Sequence, residues 1–307
     1  MLIVGAGMAG CLAGTMYPNA KIIEAADSFQ RNHDAVLRFR DDSVSKQVGI
    51  PFKKVKVHKA IYTSHGGFVQ PNIRFANWYS MKVTHGKISD RSIWNLEPST
   101  RYVAPSEFHE MLEDMCHDRI TYGESFGATP NSLHDCVIST IPMNKLMEIL
   151  DYQVDCEFEH WPIKVDRFKV VDCDVHQTVY FPELNEPVYR MTLTGDDLII
   201  ESMIMPNVLV HGDNEQRMKG LARDVFGFGS GWLHSHIESN QRYGKIRPIH
   251  DDIRKRFMYW ATKRHNIYSL GRYATWRNIL MDDVLDDILK IRAMMNSSEY
   301  EMVRSLI

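Results

Sequence analysis

Three glycines and one glutamate near the start of the chain have the residue types and spacing that can hold a dinucleotide. Gly5, Gly7 and Gly10 form a G-x-G-x-x-G pattern directly after the apolar run Leu2-Ile3-Val4, and Glu24 ends the next apolar run. In this motif the first glycine makes a tight turn, the second lets a pyrophosphate approach the backbone, and the third lets a helix pack against a sheet. A carboxylate at position 24 can accept hydrogen bonds from the adenosine ribose and disfavours a 2′-phosphate. The pattern therefore predicts a dinucleotide site that disfavours NADP.

The segment around these glycines has the strand, helix and strand that must position them. Strands are expected at 2–4 and 21–23, with a short helix over 8–17 that Pro18 ends. The helix N-terminus would direct free N–H groups and partial positive charge at the phosphates. The alternative is a glycine-rich turn in an unrelated α/β unit. The cofactor contacts predicted in this unit are Gly5, Ala6, Gly7, Met8, Ala9, Gly10, Glu24 and Ala25.

Length, charge and cysteine content limit the class of protein. A chain of 307 residues can bury a sizeable core and form two lobes. Its net charge of −3 provides no global basic field for nucleic acid, which leaves only local patches. No apolar run reaches the roughly 18 residues of a membrane span, and the apolar start is used by a strand rather than a signal peptide. Five scattered cysteines without C-x-x-C favour reduced thiols in a cytoplasmic protein, and the 14 histidines lack metal-binding spacing, so no metal is predicted.

Residues 53–59, KKVKVHK, predict a strand by their alternation. Val55 and Val57 share one face, and Lys54, Lys56 and His58 share the other. The charges favour an edge strand that blocks edge-to-edge pairing. The alternative is a strip that contacts nucleic acid.

The remaining chain divides into stretches of α/β and all-β character. Residues 60–104 are rich in aromatic and turn residues and predict hairpins and loops. The short strands expected within 151–212 predict an antiparallel sheet. The glycines of 227–232 lack a preceding strand, so this segment is predicted to be a loop and not a second nucleotide motif. The other expected elements are helices at 105–118, 144–150 and 214–226, strands at 119–126, 135–142 and 267–270, and a long helix beginning at Met281.

Three separated stretches together resemble one group of proteins. GAGMAG…KIIEA, DCVISTIPMNKL and IYSLGRYATWRNILMDDVL are similar to the FAD-dependent amine-oxidase and UDP-galactopyranose-mutase superfamily. The resemblance implies an α/β fold with a Rossmann-like, glutathione-reductase-type FAD-binding domain and a smaller antiparallel β-sheet substrate domain. The implied FAD-binding domain is discontinuous, over 1–60, 100–150 and 240–307, and the implied substrate domain covers 61–99 and 151–239.

The same resemblance implies further contacts to the cofactor. Gly271 and Arg272 would lie by the pyrophosphate or the flavin. Met281 and Asp282 would present a helix N-terminus to the flavin ring, where a helix dipole stabilises the anionic reduced form. The superfamily places a Gly-Gly pair after the second strand, but this chain has His33, Arg38 and Arg40 in that region. These cations are candidates for phosphate or flavin contacts, and Arg38 is included among the predicted cofactor-binding residues.

The resemblance implies an FAD-dependent oxidoreductase that oxidises a C–N bond of an amine or amino-acid-type substrate. No catalytic side chain can be named, because the flavin carries the redox chemistry. Three alternatives stay open. They are a flavin-dependent sugar-nucleotide mutase, an FAD enzyme that acts on an amino-acid-modified DNA base, and a non-catalytic dinucleotide-binding module. The basic strand at 53–59 and the short substrate lobe support the second alternative. The expected partner is thus a small molecule or a modified nucleotide, with DNA as a further candidate and no membrane.

Overall fold

The computed structural model of the protein describes residues 1–30, 36–86, 88, 92–127, 136–204 and 214–296. His33 therefore lies outside the described residues. The helices are α1 Met8–Met16, α2 Ser43–Val48, α3 Ile73–Thr84, α4 Phe108–Asp114, α5 Met143–Ile149, α6 Asn214–Phe226, α7 Asp251–His265 and α8 Met281–Met295. The strands are β1 Leu2–Val4, β2 Lys21–Glu24, β3 Arg38–Phe39, β4 Lys53–Thr63, β5 Gly67–Val69, β6 Ser99–Val103, β7 Ile120–Tyr122, β8 Val137–Ser139, β9 His160–Val170, β10 Val175–Tyr180, β11 Val188–Gly195, β12 Asp197–Met203, β13 Leu233–Ile246 and β14 Ile267–Ser269.

The smaller sheet is parallel and is buried between two layers of helices. Among the described residues its strand order is β14-β8-β1-β2-β7, and every pairing is parallel. Strands β1 and β8 are buried at every residue because both faces of the sheet are covered. Side chains of α1, α2, α4 and α8 form the core on one face, and those of α5 and α7 form it on the other. Strand β1 has β2 on one side and β8 on the other, so the strand order reverses at β1. At such a reversal a crevice opens at the carboxyl end of the strand.

The larger sheet is mostly antiparallel. Its described strands follow the order β13-β9-β12-β11-β10-β4-β6-β3, and β5 pairs with β4. The pairing of β10 with β4 is parallel, and the others are antiparallel. Helix α6 covers one face and α3 covers the other. The α/β fold class predicted from the sequence is confirmed, with one parallel and one antiparallel sheet.

Helix α3 carries a buried lysine that ties it to the larger sheet. Lys82 is 5% exposed, and its Nζ donates to the carbonyls of Phe181 (2.9 Å) and Val188 (2.7 Å). These carbonyls flank the turn between β10 and β11, so one ammonium joins the helix to that turn. Burial lowers the pKa of Lys82 to about 7.

One sequence prediction about secondary structure is wrong, and another holds for only part of a strand. Residues 60–104 were expected to form hairpins and loops, but 73–84 form α3, whose N-terminus is capped by the Asn72 side chain accepting from the Phe75 N–H (3.0 Å). Strand β4 was expected at a sheet edge, but from His58 to Ile61 it pairs with β10 and lies inside the sheet. Residues 53–57 pair with β6 and have no partner on the β10 side among the described residues, so the charged part of β4 has one unpaired side, as predicted.

The remaining elements agree with the sequence analysis to within a few residues. Helix α6 has the predicted bounds, α8 begins at Met281, and 227–232 contain no described strand or helix. Strand β13 and helix α7 had no sequence assignment. Within the part of the chain that the structure describes, no helix has both the length and the hydropathy needed to cross a bilayer. The implied FAD-binding domain includes most of β4 and β6, and both strands belong to the larger sheet. The division of the chain into two domains stays a prediction.

Candidate cofactor site

The carboxyl ends of β1, β8 and β14 meet at the loop that begins with Gly5. Gly5 has a φ of +98°, and its N–H donates to the Ile23 carbonyl (2.8 Å), which turns the chain sharply out of β1. A Cβ at Gly5 would lie 2.1 Å from the Thr140 Oγ1, so no larger residue fits there. Thr140 itself donates from Oγ1 to the Val4 carbonyl (2.8 Å) and thereby joins the ends of β1 and β8.

The other two glycines of the motif have opposite surroundings. A Cβ at Gly10 would lie 1.8 Å from the Gly5 carbonyl oxygen, so glycine is required for the first turn of α1 to pack on the loop. A Cβ at Gly7 would meet nothing within 4 Å. Gly7 is also the N-cap of α1 and provides no side-chain cap to the first-turn N–H groups. The N-terminus of α1 therefore faces open space, with N–H groups free for an anion.

Glu24 lies beside this loop at the end of β2. One carboxylate oxygen accepts from the Ala6 N–H (2.8 Å), and the other accepts from the Ala26 N–H (3.0 Å). The carboxylate thus fixes the position of the glycine loop relative to the turn after β2. Each oxygen keeps a second lone pair, so the group can still accept hydrogen bonds from ribose hydroxyls.

Gly271 and Arg272 follow β14 and approach the same loop. Gly271 has a φ of +91°, and a Cβ there would lie 3.1 Å from the Ala9 Cβ. The Arg272 guanidinium donates to the Asn278 Oδ1 (3.3 Å), but its buried Nε–H has no acceptor among the described residues. A buried donor without an acceptor is uncommon in proteins and fits a site for an anionic group.

The N-terminus of α8 is connected to the segment after β3. The buried Asp282 carboxylate accepts from the Arg40 N–H (3.1 Å), and the Arg40 guanidinium pairs with Asp283. Burial raises the pKa of Asp282, whereas the Asp283 pKa is lowered by the Arg40 hydrogen bond despite its partial burial. Met281 is half-buried at the first turn. Asp282 therefore binds the Arg40 backbone and side chain, and Met281 packs against the core beside α8. The flavin contacts of Met281 and Asp282 stay predictions.

Arg38 lies on β3 of the larger sheet, and its side chain contacts β10 and β11. Its guanidinium donates to the Thr178 Oγ1 (2.9 Å) and to the Leu193 carbonyl, and its Nε–H has no acceptor among the described residues. Burial and the neighbouring Arg190 lower the pKa of Arg38 to about 10. No carboxylate pairs with Arg38 in the described part of the chain. The structure therefore places Arg38 beside Thr178, and the hydrogen bonds of its guanidinium among the described residues go to β10 and β11.

A buried network lies farther along the same strands. Glu201 is 2% exposed and accepts from Arg190 and from the Tyr189 hydroxyl (2.7 Å). Burial alone would raise the pKa of Glu201, but the charge and hydrogen bonds of Arg190 lower it to about 2. Arg190 is thus already neutralised by the protein. Arg38, which lacks a carboxylate partner among the described residues, retains capacity for an added anion.

One group of possible metal ligands is brought together by the larger sheet, away from the glycine loop. Asp166, His236 and Glu238 offer ligand atoms that all lie within 4.8 Å of one another. The His236 Nε2 lies 2.8 Å from the Asp166 carboxylate, and Lys164 pairs with Glu238 (2.6 Å). Asn214 donates to both carboxylates. These contacts go to one Asp166 oxygen, and the buried Asp166 Oδ2 has no hydrogen-bond partner among the described residues. We interpret the group as a polar network of the sheet.

The predicted cofactor residues fall into two groups in space. The glycine loop, Glu24 and Gly271 are in direct contact or share hydrogen bonds, whereas Arg38 and Asp282 contact other parts of the chain. Sequence reasoning omitted Thr140 and assigned no partner to Arg40. Thr140 had a signal, since it is the threonine of the T-x-P sequence that ends β8. The pairing of Arg40 with Asp283 had no signal in the sequence, because the two residues are 243 positions apart.

Comparison with known proteins identifies the fold. No protein-family profile and no curated protein sequence matches the chain. Among solved structures, reduced UDP-galactopyranose mutase superposes with a TM-score of 0.67 at 13% identity, over 98% of this chain and 97% of that one. The chain has the fold of this mutase. The resemblance found in the sequence is thereby confirmed at the level of the fold.

Other solved structures share this fold. A CLA-producing fatty acid isomerase from P. acnes matches with a TM-score of 0.59 at 13% identity, over 96% of this chain and 98% of that one. A protein from Photorhabdus luminescens subsp. laumondii, provisionally described as an FAD-containing monooxygenase, matches with a TM-score of 0.50 at 10% identity, over 99% and 96%. The fold is therefore common to proteins with different reactions, and function has to be argued from the site.

Proposed function

We propose that the protein binds FAD and is an FAD-dependent oxidoreductase. The observation that carries this proposal is the open space at Gly7, where the uncapped N-terminus of α1 can receive a pyrophosphate. Glu24 is placed to accept hydrogen bonds from the adenosine ribose at one end. The Arg272 Nε–H supplies an unused donor on the same side of the parallel sheet as Gly271.

The flavin end of the cofactor would extend toward the N-terminus of α8. Met281 and the first-turn N–H groups of α8 would face the ring, and the partial positive charge of the helix would stabilise negative charge there. Asp282 would contribute by holding the Arg40 backbone, which fixes the segment between β3 and α2 against α8. FAD, when bound, supplies a hydride acceptor.

The substrate side of the site would be the face of the larger sheet that carries Arg38. We propose that the substrate is an amine or amino-acid-type compound oxidised at a C–N bond. Arg38 supports the amino-acid type, because a carboxylate on the substrate would neutralise a buried guanidinium that has no carboxylate partner in the described chain. In this arrangement Thr178 orients Arg38, and Arg38 orients the substrate.

A sugar-nucleotide mutase is the second candidate. It is favoured by the TM-score of 0.67 to UDP-galactopyranose mutase over nearly the full length of both chains. Against it, Asn278-Ile279-Leu280 stand where the resemblance would place a tyrosine that contacts the substrate diphosphate. The two candidates differ in their reactions, since the mutase reaction has no net oxidation.

The test begins with the absorbance spectrum of the purified protein, before and after anaerobic reduction with dithionite. We expect flavin bands near ~375 and ~450 nm that bleach on reduction, because the flavin carries the redox chemistry. Amines and amino acids are then screened for bleaching under anaerobic conditions, with R38M as the variant and R223M, at an exposed site on α6, as the control. The proposal is supported if an amino acid bleaches the flavin of the wild-type protein but not that of R38M. A colourless protein that takes up no added FAD would disprove it.

A further inference from the structure

The strands β4 and β10 separate at one end and leave a cleft in the larger sheet. They pair only from His58 to Ile61 on the β4 side, and the preceding residues of β4 have no partner on that side among the described residues. The cleft has a volume of about 350 Å³. The residues that line it are Lys53, Lys54, Val55, Lys56, His58, Asp174, Val175 and His176.

The cleft carries an excess of positive charge. Three lysines and a single aspartate line it, which gives a formal charge of +2 with both histidines neutral. Asp174 is already paired with Lys53 (2.7 Å), and this bond lowers the Asp174 pKa. Lys54 and Lys56 are exposed and have no ion pair within the described ranges. The protein as a whole has a net charge of −3, so this local charge stands out against its surroundings.

Aromatic rings continue the same face of β4. Alternate residues of a strand share a face, so Lys54, Lys56 and His58 lie in line with Tyr62. Tyr62 pairs across β4 and β5 with Phe68, and the two rings are 5.4 Å apart in an edge-to-face arrangement. Phe68 is 54% exposed. The face therefore has cations at one end and an exposed aromatic ring at the other.

We propose that this face of β4, with its cleft, binds single-stranded nucleic acid. Lysines in line on a strand match a series of backbone phosphates, and an exposed ring beside them can stack on a base. A small phosphate compound would use the cleft but would have no use for Phe68. The proposal does not depend on the proposed flavin chemistry, because β4 contributes none of the predicted FAD contacts.

The test uses the full-length protein and a fluorescein-labelled strand of twelve thymidines, with binding measured by anisotropy at several salt concentrations. K54Q/K56Q should weaken binding about tenfold or more at low salt. The slope of log affinity against log salt should fall in magnitude by about 1.4, since each phosphate contact of a single strand contributes roughly 0.7. K145Q/K255Q, which removes the same charge from exposed helical sites, is the matched control and should leave both quantities unchanged.

A second variant tests the aromatic end of the face. F68A should weaken binding by about 5- to 100-fold and leave the salt slope unchanged, because stacking involves no counterion release. Y259A, which truncates an exposed ring on α7, is its control. Equal affinity for thymidine monophosphate and the twelve-residue strand would overturn the proposal and indicate a small phosphate ligand. Equal loss in K54Q/K56Q and K145Q/K255Q, or no binding by the wild-type protein, would also overturn it.

Discussion

Among single residues, Lys82 gives the clearest dependence of stability on pH. Its pKa is about 7 in the folded protein and 10.5 when unperturbed, so the unfolded chain binds the extra proton between these values. The free energy of unfolding should therefore rise with pH in this window. From about pH 7 to 8.5 we expect wild type to gain about 2 kcal/mol relative to K82M. Urea unfolding at both pH values measures this gain, and K145M is the exposed control. If the free energy of unfolding of K82M rose with pH as much as that of wild type, the lowered pKa of Lys82 would be contradicted.

Substitutions at two glycines of the loop should distinguish effects on FAD binding from effects on the stability of the fold. G7A places a methyl group in open space, so the apoprotein should lose no more than about 1 kcal/mol, the usual range for a residue change at an N-cap. The same methyl group would occupy the pyrophosphate position and should raise the Kd for FAD at least about tenfold. G10A forces a methyl group against the Gly5 carbonyl and should cost about 1–3 kcal/mol even without FAD.

Flavin fluorescence titration and urea unfolding of the apoproteins distinguish the two effects. If G7A bound FAD as tightly as wild type, the cofactor would not lie at the N-terminus of α1. If G10A were as stable as wild type, the loop would be able to move away from the helix.

At the scale of elements, the N-terminus of α8 depends on Asp282 as a hydrogen-bond acceptor. D282N keeps an oxygen for the Arg40 N–H and removes a charge that burial disfavours, so it should change stability by less than about 1 kcal/mol at neutral pH. D282A removes the acceptor and should cost about 1–3 kcal/mol. The exposed Asp286 on the same helix provides D286N and D286A as controls. Equal losses in D282N and D282A would mean that the charge, and not the hydrogen bond, holds this segment.

The sequence predicts elements well where the signal is local. The glycine spacing and the flanking apolar runs located β1, α1 and β2, and the acids after Leu280 located the start of α8. Helix α3 was missed because its aromatic residues suggested hairpins. Asn72 and the buried residues Ala76, Tyr79 and Val83 nevertheless follow helical capping and spacing.

The errors concern contacts between distant parts of the chain. Strand β4 was assigned to an edge because its alternating charges suit one. This holds for 53–57 but not from His58 onward, where nothing nearby in the sequence indicates the pairing with β10, which begins more than 100 residues later. The hydrogen bond from Arg38 to Thr178 was likewise missed, because the two residues are 140 positions apart, and the cofactor contact of Arg38 stays a prediction. Local patterns specify which residues are buried, whereas the neighbour across a sheet is decided by tertiary packing.

At the scale of the whole molecule, FAD should stabilise the fold through binding to the native state alone. At a free concentration 100 times the Kd, the free energy of unfolding should rise by about 2.7 kcal/mol. NADP at the same concentration should have no effect, because in the proposed site the Glu24 carboxylate would repel its 2′-phosphate. Urea unfolding with and without each nucleotide measures the two values. Stabilisation by NADP would show that Glu24 does not face the ribose.

The order of strands in the parallel sheet has a consequence for biosynthesis. Strand β1 pairs with β8 and lies one strand away from β14, which is about 260 residues further along the chain. Sheets closed over such separations fold slowly, because loop entropy is lost before the contacts form. While the chain is being translated, the glycine loop exists before Gly271 and α8 have been made. During translation, the part of the nascent chain that has emerged therefore carries an unfinished sheet, and we expect this exposed intermediate to be the species that chaperones bind.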